Sequence, residues 1–293
     1  MGYARIRLAV AAAALIAPPI MGQSAAVPAP WDAVGKVLGA TAQANAGSYR
    51  YGFPRTDLTV RVGDVTVAPA IALGSWAAFA VGNADTMVMG DLALTADEVP
   101  GVLARLREGG FRVTAIHNHL IGEVPRIVFV HYEGHGAPLP LATSIRRAVE
   151  GTATPLPVKP SPIEPVTIDT ALIFGELGLQ GRANGAIAQA GVNLLLDPVT
   201  MDGGVIPTPL GLMSPINFQA VSPSRVVATG DFAIMGDKVE RLLTALARAG
   251  IQPTAIHSHL IKESPTLYFV HFWADGPPRV VAHGLREALD AAR

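Results

Sequence analysis

Histidine is the residue type best suited to do chemistry in this 293-residue chain, which has eight histidines and no cysteine. The absence of cysteine excludes disulfides, thiolate metal ligands and a cysteine nucleophile. Imidazole nitrogens bind zinc, copper and iron. Six of the histidines form two sets with identical spacing: His117, His119 and His131, then His257, His259 and His271. The two sets predict that the chain binds a divalent transition metal.

The spacing within each set predicts a β-hairpin. Alternate residues of a strand share a face, so His117 and His119 project together, roughly 6.6 Å apart at their Cα atoms. With a turn centred on Val124, His131 lies opposite His117 and Phe129 lies opposite His119. Opposed residues of an antiparallel pair also share a face. Three imidazoles are therefore expected to converge on one ion.

Each set also contains a glutamate, Glu123 in the first and Glu263 in the second. Glu123 lies four residues beyond His119, so it can bind the same ion only if the chain curls back after Leu120. Otherwise its carboxylate is a candidate general base beside the metal. Glu123 and Glu263 are thus the predicted catalytic residues of any enzyme built on this motif.

Other interpretations of the same residues stay open. The histidines could form a hydrogen-bonded, metal-free network or an acid/base site that binds substrate. Asp91 and Asp231 precede a predicted helix and are interpreted as turn residues, with reach to the hairpin as the alternative. Arg55 belongs to a Pro-Arg-x-Asp motif that only the first half has. A function with a single site is therefore expected in the first half.

The histidine sets repeat because the chain is duplicated. At an offset of 140, residues 90–150 align with residues 230–290 without a gap and are identical at 25 of 61 positions. Further upstream the alignment continues at an offset of 139. The duplication predicts a first repeat at residues 27–150 and a second at 166–293, joined by a proline-rich linker at 151–165.

Each repeat has the same predicted elements. Thr95 and Glu98 form a capping box that opens a helix through about Glu108, and Gly109-Gly110 ends it. Apolar periodicity predicts the rest: helices near residues 31–40 and 141–150, and strands near 57–67, 71–81, 86–94, 111–120 and 126–133. This order favours an α+β fold with an antiparallel sheet and helices on one face. The two copies are expected to pack as a pseudo-twofold pair.

The N-terminus predicts export. Arg5 and Arg7 precede an apolar stretch, and small residues allow cleavage after Ala26, so residues 1–26 are interpreted as a signal peptide. An uncleaved anchor is the alternative, but no later segment predicts an integral membrane span. The net charge is −1 and basic residues are scattered, so nucleic acid is not an expected partner. The mature protein is expected to be periplasmic or secreted.

Several segments resemble one known family. These are residues 54–58, 72–79, 89–92 and 114–120 in the first repeat, and 216–218, 229–232 and 269–273 in the second. They resemble a duplicated exported family of unknown function typified by the mycobacterial lipoproteins LppY and LpqO. The resemblance implies an extracytoplasmic protein and supplies no reaction. This chain has no cysteine for lipid attachment, so a lipid anchor is not implied.

Three functions remain open from the sequence. The first is a periplasmic or secreted metal-binding protein, with one site per hairpin or one composite site. The second is a metal-dependent hydrolase or lyase acting on an envelope or extracellular substrate. The third is a metal-free binding module for a small molecule or for an envelope glycan or peptide.

Overall fold

The computed structural model describes residues 28–82, 85–160 and 162–293. The predicted signal peptide, residues 1–26, lies outside this described part. Each half of the chain forms one six-stranded antiparallel sheet, and the two sheets have the same topology. The predicted α+β class with a tandem duplication is confirmed.

The first repeat contains four helices and nine strands in the described part of the chain. In chain order they are α1 (Trp31–Leu38), β1 (Ala42–Asn45), β2 (Ser48–Pro54), β3 (Val60–Val62), β4 (Val65–Val67), α2 (Pro69–Ala72), β5 (Gly74–Ala80), β6 (Thr86–Thr95), α3 (Val99–Glu108), β7 (Arg112–His117), β8 (Glu123–Val124), β9 (Ile127–Gly136) and α4 (Pro138–Val149). The main sheet has the order β1-β2-β5-β6-β9-β7, and β4-β3-β8 form a small separate sheet.

The second repeat follows the same plan. Its elements are α5 (Thr170–Leu177), β10 (Gly181–Asn184), β11 (Ile187–Val192), β12 (Thr200–Met201), β13 (Gly204–Val205), β14 (Ser214–Ser222), β15 (Arg225–Met235), α6 (Val239–Arg248), β16 (Gln252–His257), β17 (Leu267–Gly276) and α7 (Pro278–Ala292). The main sheet has the order β10-β11-β14-β15-β17-β16, and β12 and β13 form a short hairpin. The proline-rich segment predicted as a linker runs between α4 and α5.

Helix α3 shows how local sequence fixes an element. The Glu98 carboxylate accepts a hydrogen bond from the Thr95 backbone N–H at 2.9 Å, which is one half of the predicted capping box. Val102 and Leu106 are fully buried one turn apart, so the helix packs one apolar face on the sheet. The helix ends before Gly110, whose φ of 81° suits a residue without a side chain.

Alternate side chains along each strand point to opposite faces of its sheet. In β6, Val88, Leu92 and Leu94 belong to the core that the first repeat's helices cover. Their neighbours Met87 and Met89 belong instead to an apolar cluster that also contains residues of the second repeat. The helix-free faces of the two sheets therefore pack against each other. The resulting layers are helix, sheet, sheet and helix, as expected for a pseudo-twofold pair.

Short hairpin arms strengthen this contact in both directions. The β3–β4 arm packs Val65 and Val67 in one cluster with Val227 of the second repeat, and Asp64 at its tip pairs with Arg225 at 2.7 Å. The β12–β13 arm reaches the first repeat in the same way, because Met201 is buried in one cluster with Met87 and Met89 and Asp202 pairs with Arg112. Within the described residues, no helix is both long and apolar enough to cross a membrane.

Candidate metal centre

The histidine hairpin differs from its predicted register. His117 pairs with Phe129 and Ala115 pairs with His131, so the predicted opposition of His117 and His131 is wrong by two residues. The reason is that the segment after His117 is not a tight turn, because β8 leaves the hairpin and pairs with β3. A strand irregularity between Val113 and Ala115 shifts the pairing by one further residue, but only on the side of Ala115 away from His117. His119 therefore lies just beyond the end of β7.

The three imidazoles of the first repeat nevertheless converge. The ring centre of His117 lies 5.1 Å from that of His119 and 5.0 Å from that of His131. Asp91 lies directly opposite His131 in the pairing of β6 with β9. Its Oδ2 is 3.5 Å from Nε2 of His131 and 3.6 Å from Nε2 of His119. The interpretation of Asp91 as a turn residue is therefore wrong, because it lies inside a strand that faces the histidines.

The second repeat reproduces the convergence of the three imidazoles. The ring centre of His257 lies 4.8 Å from that of His259 and 5.0 Å from that of His271. Asp231 lies opposite His271 in the pairing of β15 with β17. Asp231 is thus a strand residue too, and the turn interpretation is wrong for it as well.

The two sets merge into one cluster of six imidazoles between the sheets. His117 stacks on its counterpart His257, with ring centres 3.8 Å apart. His119 stacks on His271 at 4.2 Å and His131 stacks on His259 at 3.8 Å. Because His119 corresponds to His259 and His131 to His271, these last two contacts are equivalent when the repeats are exchanged. This reciprocity is the signature of twofold packing.

Burial keeps the six imidazoles neutral. Desolvation, and then the nearby His257 ring, lower the pKa of His117 to about 3. Burial also lowers the pKa of each of the other five. Neutral imidazole is the form that ligates metals. Burial has the opposite effect on the carboxyls, because it raises the pKa of Asp231 to about 8 and that of Asp91 well above its usual range.

The donor atoms of the cluster have no partners within the described part of the protein. Nε2 of each of the six histidines and Oδ1 of Asp91 and Asp231 are buried and make no hydrogen bond there. Nδ1 of His117 and of His257 lies 3.2 Å from the carbonyl of the following residue, which fixes both rings. Buried polar atoms are normally satisfied, so these atoms fit a bound cation.

Two sets of four residues could each hold an ion, with their ligand atoms within 4.8 Å of one another. They are Asp91, His117, His119 and His131, and His117, His257, His259 and His271. His117 belongs to both. A set of imidazoles with or without one carboxylate suits zinc, copper or iron.

Glu123 and Glu263 lie outside both sets. The Glu123 carboxylate accepts a hydrogen bond from the Ile127 backbone N–H at 3.3 Å, and Glu263 accepts one from Leu267 at 3.0 Å. Glu263 also accepts one from the Ser258 hydroxyl at 3.3 Å. In both repeats the glutamate thus stabilises the chain just before β9 or β17.

Arg55 also lies away from the cluster. Its fully buried guanidinium pairs with Asp57 at 2.9 Å and with Glu98 at 2.7 Å. It also donates to the carbonyl of Ala93 at 2.7 Å. The motif found only in the first repeat therefore holds α3 against β6. The histidine cluster itself draws equally on both repeats, rather than on the first alone.

A cavity of about 620 Å³ leads to the histidine cluster from one side. Its lining includes Asp91, His119 and His131 of the first repeat and their counterparts in the second. Two arginines that sequence reasoning missed, Arg50 and Arg182, also line it. The alignment of the repeats could have pointed to them, because at an offset of 139 each arginine aligns with a glutamine of the other repeat.

Comparisons with known proteins identify the repeats but no activity. No curated protein shows significant sequence similarity to this chain. A trimeric bacterial microcompartment shell protein, PduB, is 12% identical over 87% of this chain and 91% of its own, with a TM-score of 0.24. EtuB from Clostridium kluyveri is 12% identical over 87% and 90%, with a TM-score of 0.21. Both scores are too low to carry an argument.

A family of domains without an assigned function matches the chain twice, at residues 32–151 and 172–291. The two matches contain the two histidine sets and together span most of the sequence. The chain therefore belongs to the family described as Domain of Unknown Function (DUF1259), with one copy of the domain in each repeat.

Proposed function

We propose that this chain is an exported protein that binds a divalent transition metal at one composite centre between its two repeats. The observation that carries the proposal is the set of six buried Nε2 atoms, none of which has a hydrogen-bond partner in the described structure. Leaving one such buried atom unsatisfied costs about 1–3 kcal/mol. A metal ion supplies the missing interaction to several of them at once.

Export rests on the sequence. The basic and apolar segments before Ala26 support a signal peptide. The resemblance to the LppY and LpqO lipoproteins supports the same location. We therefore propose the periplasm or the outside of the cell as the location of the mature protein.

Elemental analysis of mature protein purified without a histidine tag tests the metal centre. We expect about one or two zinc, copper or iron ions per chain. His117→Ala removes the donor that both ligand sets share, so it should lower the metal content. His135→Ala and His283→Ala are matched controls, because both residues are exposed and lie outside both sets. Wild-type protein without metal, or equal metal in His117→Ala, would contradict the proposal.

A second candidate function is a metal-dependent hydrolase or lyase, and the cavity favours it. A purely structural metal is closed off by protein, whereas a catalytic one keeps an open side. Here His119, His131 and Asp91 line a cavity of about 620 Å³, so a small substrate can reach the centre. When bound, the metal would supply an activated water near neutral pH.

The glutamates separate this candidate from simple metal binding. Glu123 was predicted as its general base, and its Oε2 is buried without a partner among the described atoms. Turnover that Glu123→Gln abolishes without loss of metal would support that role. Unchanged turnover would leave Glu123 with the backbone contact to Ile127 alone.

A further inference from the structure

Two guanidinium groups line the cavity above the histidine cluster, one from each repeat. Arg50 in β2 pairs across the strands with Gln43 in β1. Arg182 in β10 pairs in the same way with Gln189 in β11. The repeat offset of 139 superposes Gln43 on Arg182 and Arg50 on Gln189. Each repeat thus keeps one arginine and one glutamine, but on exchanged strands.

Arg50 is held in place by an aromatic ring rather than by an acceptor. Its guanidinium carbon lies 3.8 Å from the centre of the Trp76 ring, a cation–π contact that fixes the plane of the group. Burial lowers the pKa of Arg50 only to about 10, so the group stays charged at neutral pH. Among the described residues, none accepts a hydrogen bond from its side chain. Its donors are thus available to whatever occupies the cavity.

The surroundings of Arg182 leave it similarly available. Its Nε donates to Oε1 of Gln189 at 3.3 Å. Gln189 is itself fixed, because its amide nitrogen donates to Ala70 at 2.9 Å and to Asn217 at 3.0 Å. No carboxylate pairs with Arg182 in the described part of the chain. The cavity therefore presents two guanidinium groups, neither of which forms a salt bridge with a carboxylate among the described residues.

We propose that the cavity binds a small oxyanion, a carboxylate or phosphate compound, which Arg50 and Arg182 hold beside the histidine cluster. A guanidinium offers parallel N–H donors that match both groups. The volume of about 620 Å³ suits a small molecule rather than an extended polymer. His119 and His131 line the inner end of the same cavity. For the part of the ligand that would lie beside these histidines, the inference rests on the proposed function.

Calorimetric titration of the full mature chain with inorganic phosphate and with citrate tests this inference. We expect at least one of the two anions to bind with a Kd below about 1 mM. Arg50→Gln should weaken that binding about tenfold or more, since it removes charged hydrogen-bond donors. Arg182→Gln should weaken it too, and this residue is exposed, so the variant tests the inference even if Arg50→Gln does not fold. Arg286→Gln, in the exposed pair with Asp290 on α7, is the control.

The metal content of the same samples separates the two proposals. Loss of anion binding with full metal content in Arg50→Gln supports the oxyanion site beside an intact centre. Arginine-dependent anion binding by a protein that takes up no metal would sustain this inference and refute the metal centre. If neither anion binds to the wild type, or both arginine variants bind like the wild type, the oxyanion site is wrong.

Discussion

His117 lies at the centre of the candidate site. Its ring centre is within 5.4 Å of those of all five other clustered histidines. Phe129 stacks on His119 at 3.4 Å and Phe269 on His259 at 3.6 Å, so apolar rings bound the cluster on two sides. Such a boundary excludes water and keeps the imidazoles in the form that binds metal. The chemistry of this residue type thus depends on apolar neighbours as much as on the histidines themselves.

Arg55 allows a prediction about stability without a change at the site. Arg55→Met leaves Asp57 and Glu98 with no cation, although their side chains are only 18% and 14% exposed. Breaking a buried pair in this way should lower the free energy of unfolding by about 3–5 kcal/mol. Urea unfolding measures this loss, and metal content below the transition should be unchanged. Loss of metal at full stability would instead place Arg55 in the site.

Lys36→Met is the matched control for Arg55. Lys36 also pairs with an aspartate, Asp32 at 2.7 Å, but its side chain is 76% exposed. Exposed ion pairs contribute little, because water and salt screen them. The control should therefore unfold at the same urea concentration as the wild type.

At the scale of elements, two strand glycines allow close packing next to the site aspartates, where a larger residue would not fit. Gly90 precedes Asp91 and Gly230 precedes Asp231 on the helix side of β6 and β15. A methyl group at Gly90 would lie 2.5 Å from the Trp76 carbonyl oxygen and would overlap the Tyr132 ring. At Gly230 it would overlap the Pro215 carbonyl. In each Gly-Asp pair, the glycine is thus required by packing and the following aspartate faces the histidine cluster.

Gly90→Ala and Gly230→Ala should each destabilise the protein by about 1–3 kcal/mol, because the added methyl group overpacks a filled layer. The Gly230 variant should lose more, since its methyl group would overlap only backbone atoms, whereas at Gly90 the nearest atoms belong to the end of the Tyr132 side chain. Gly52→Ala in β2 is the control, because no atom lies within 4 Å of the added methyl. Thermal unfolding measures the differences. Equal Tm values for all three variants would contradict this account.

The sequence predicted the presence of helices and strands better than the pairing of strands in the sheets. Local signals were sufficient for the presence of α3, where Val102 and Leu106 mark its buried face, although the helix begins at Val99 rather than directly after Thr95. They were insufficient for the register of β7, because the irregularity near Thr114 and the pairing of β8 with β3 depend on distant chain. Asp91 was misinterpreted although it lies inside the strand predicted at residues 86–94, because its position opposite His131 depends on the pairing of β6 with the distant β9. The stacking of His117 on His257 depends on how two sheets pack, which periodicity in one strand does not encode.

At the scale of the whole molecule, duplication supplies the site. Neither repeat alone brings six imidazoles together, and the contacts that do so are reciprocal between the repeats. The apolar cluster around Met87, Met89 and Phe269 and the two hairpin arms hold the sheets together around the histidines. A metal that binds donors from both repeats adds to this attachment, because it stabilises only the packed state.

The repeats should therefore stay together after the linker is cut. A protease site inserted at the exposed Pro160 allows cleavage between α4 and α5 in the folded protein. We expect the two fragments to co-elute in size-exclusion chromatography, and to do so at about 1 M salt as well, because salt screens ion pairs but does not weaken apolar burial. The pairs Asp64–Arg225 and Asp202–Arg112 are partly exposed and contribute little to this attachment.

Met89→Lys, which places a charge in the shared apolar cluster, should release the fragments after cleavage and lower the metal content with them. Separation of the cleaved wild-type fragments would mean that the linker, rather than the packed faces, holds the histidine cluster together.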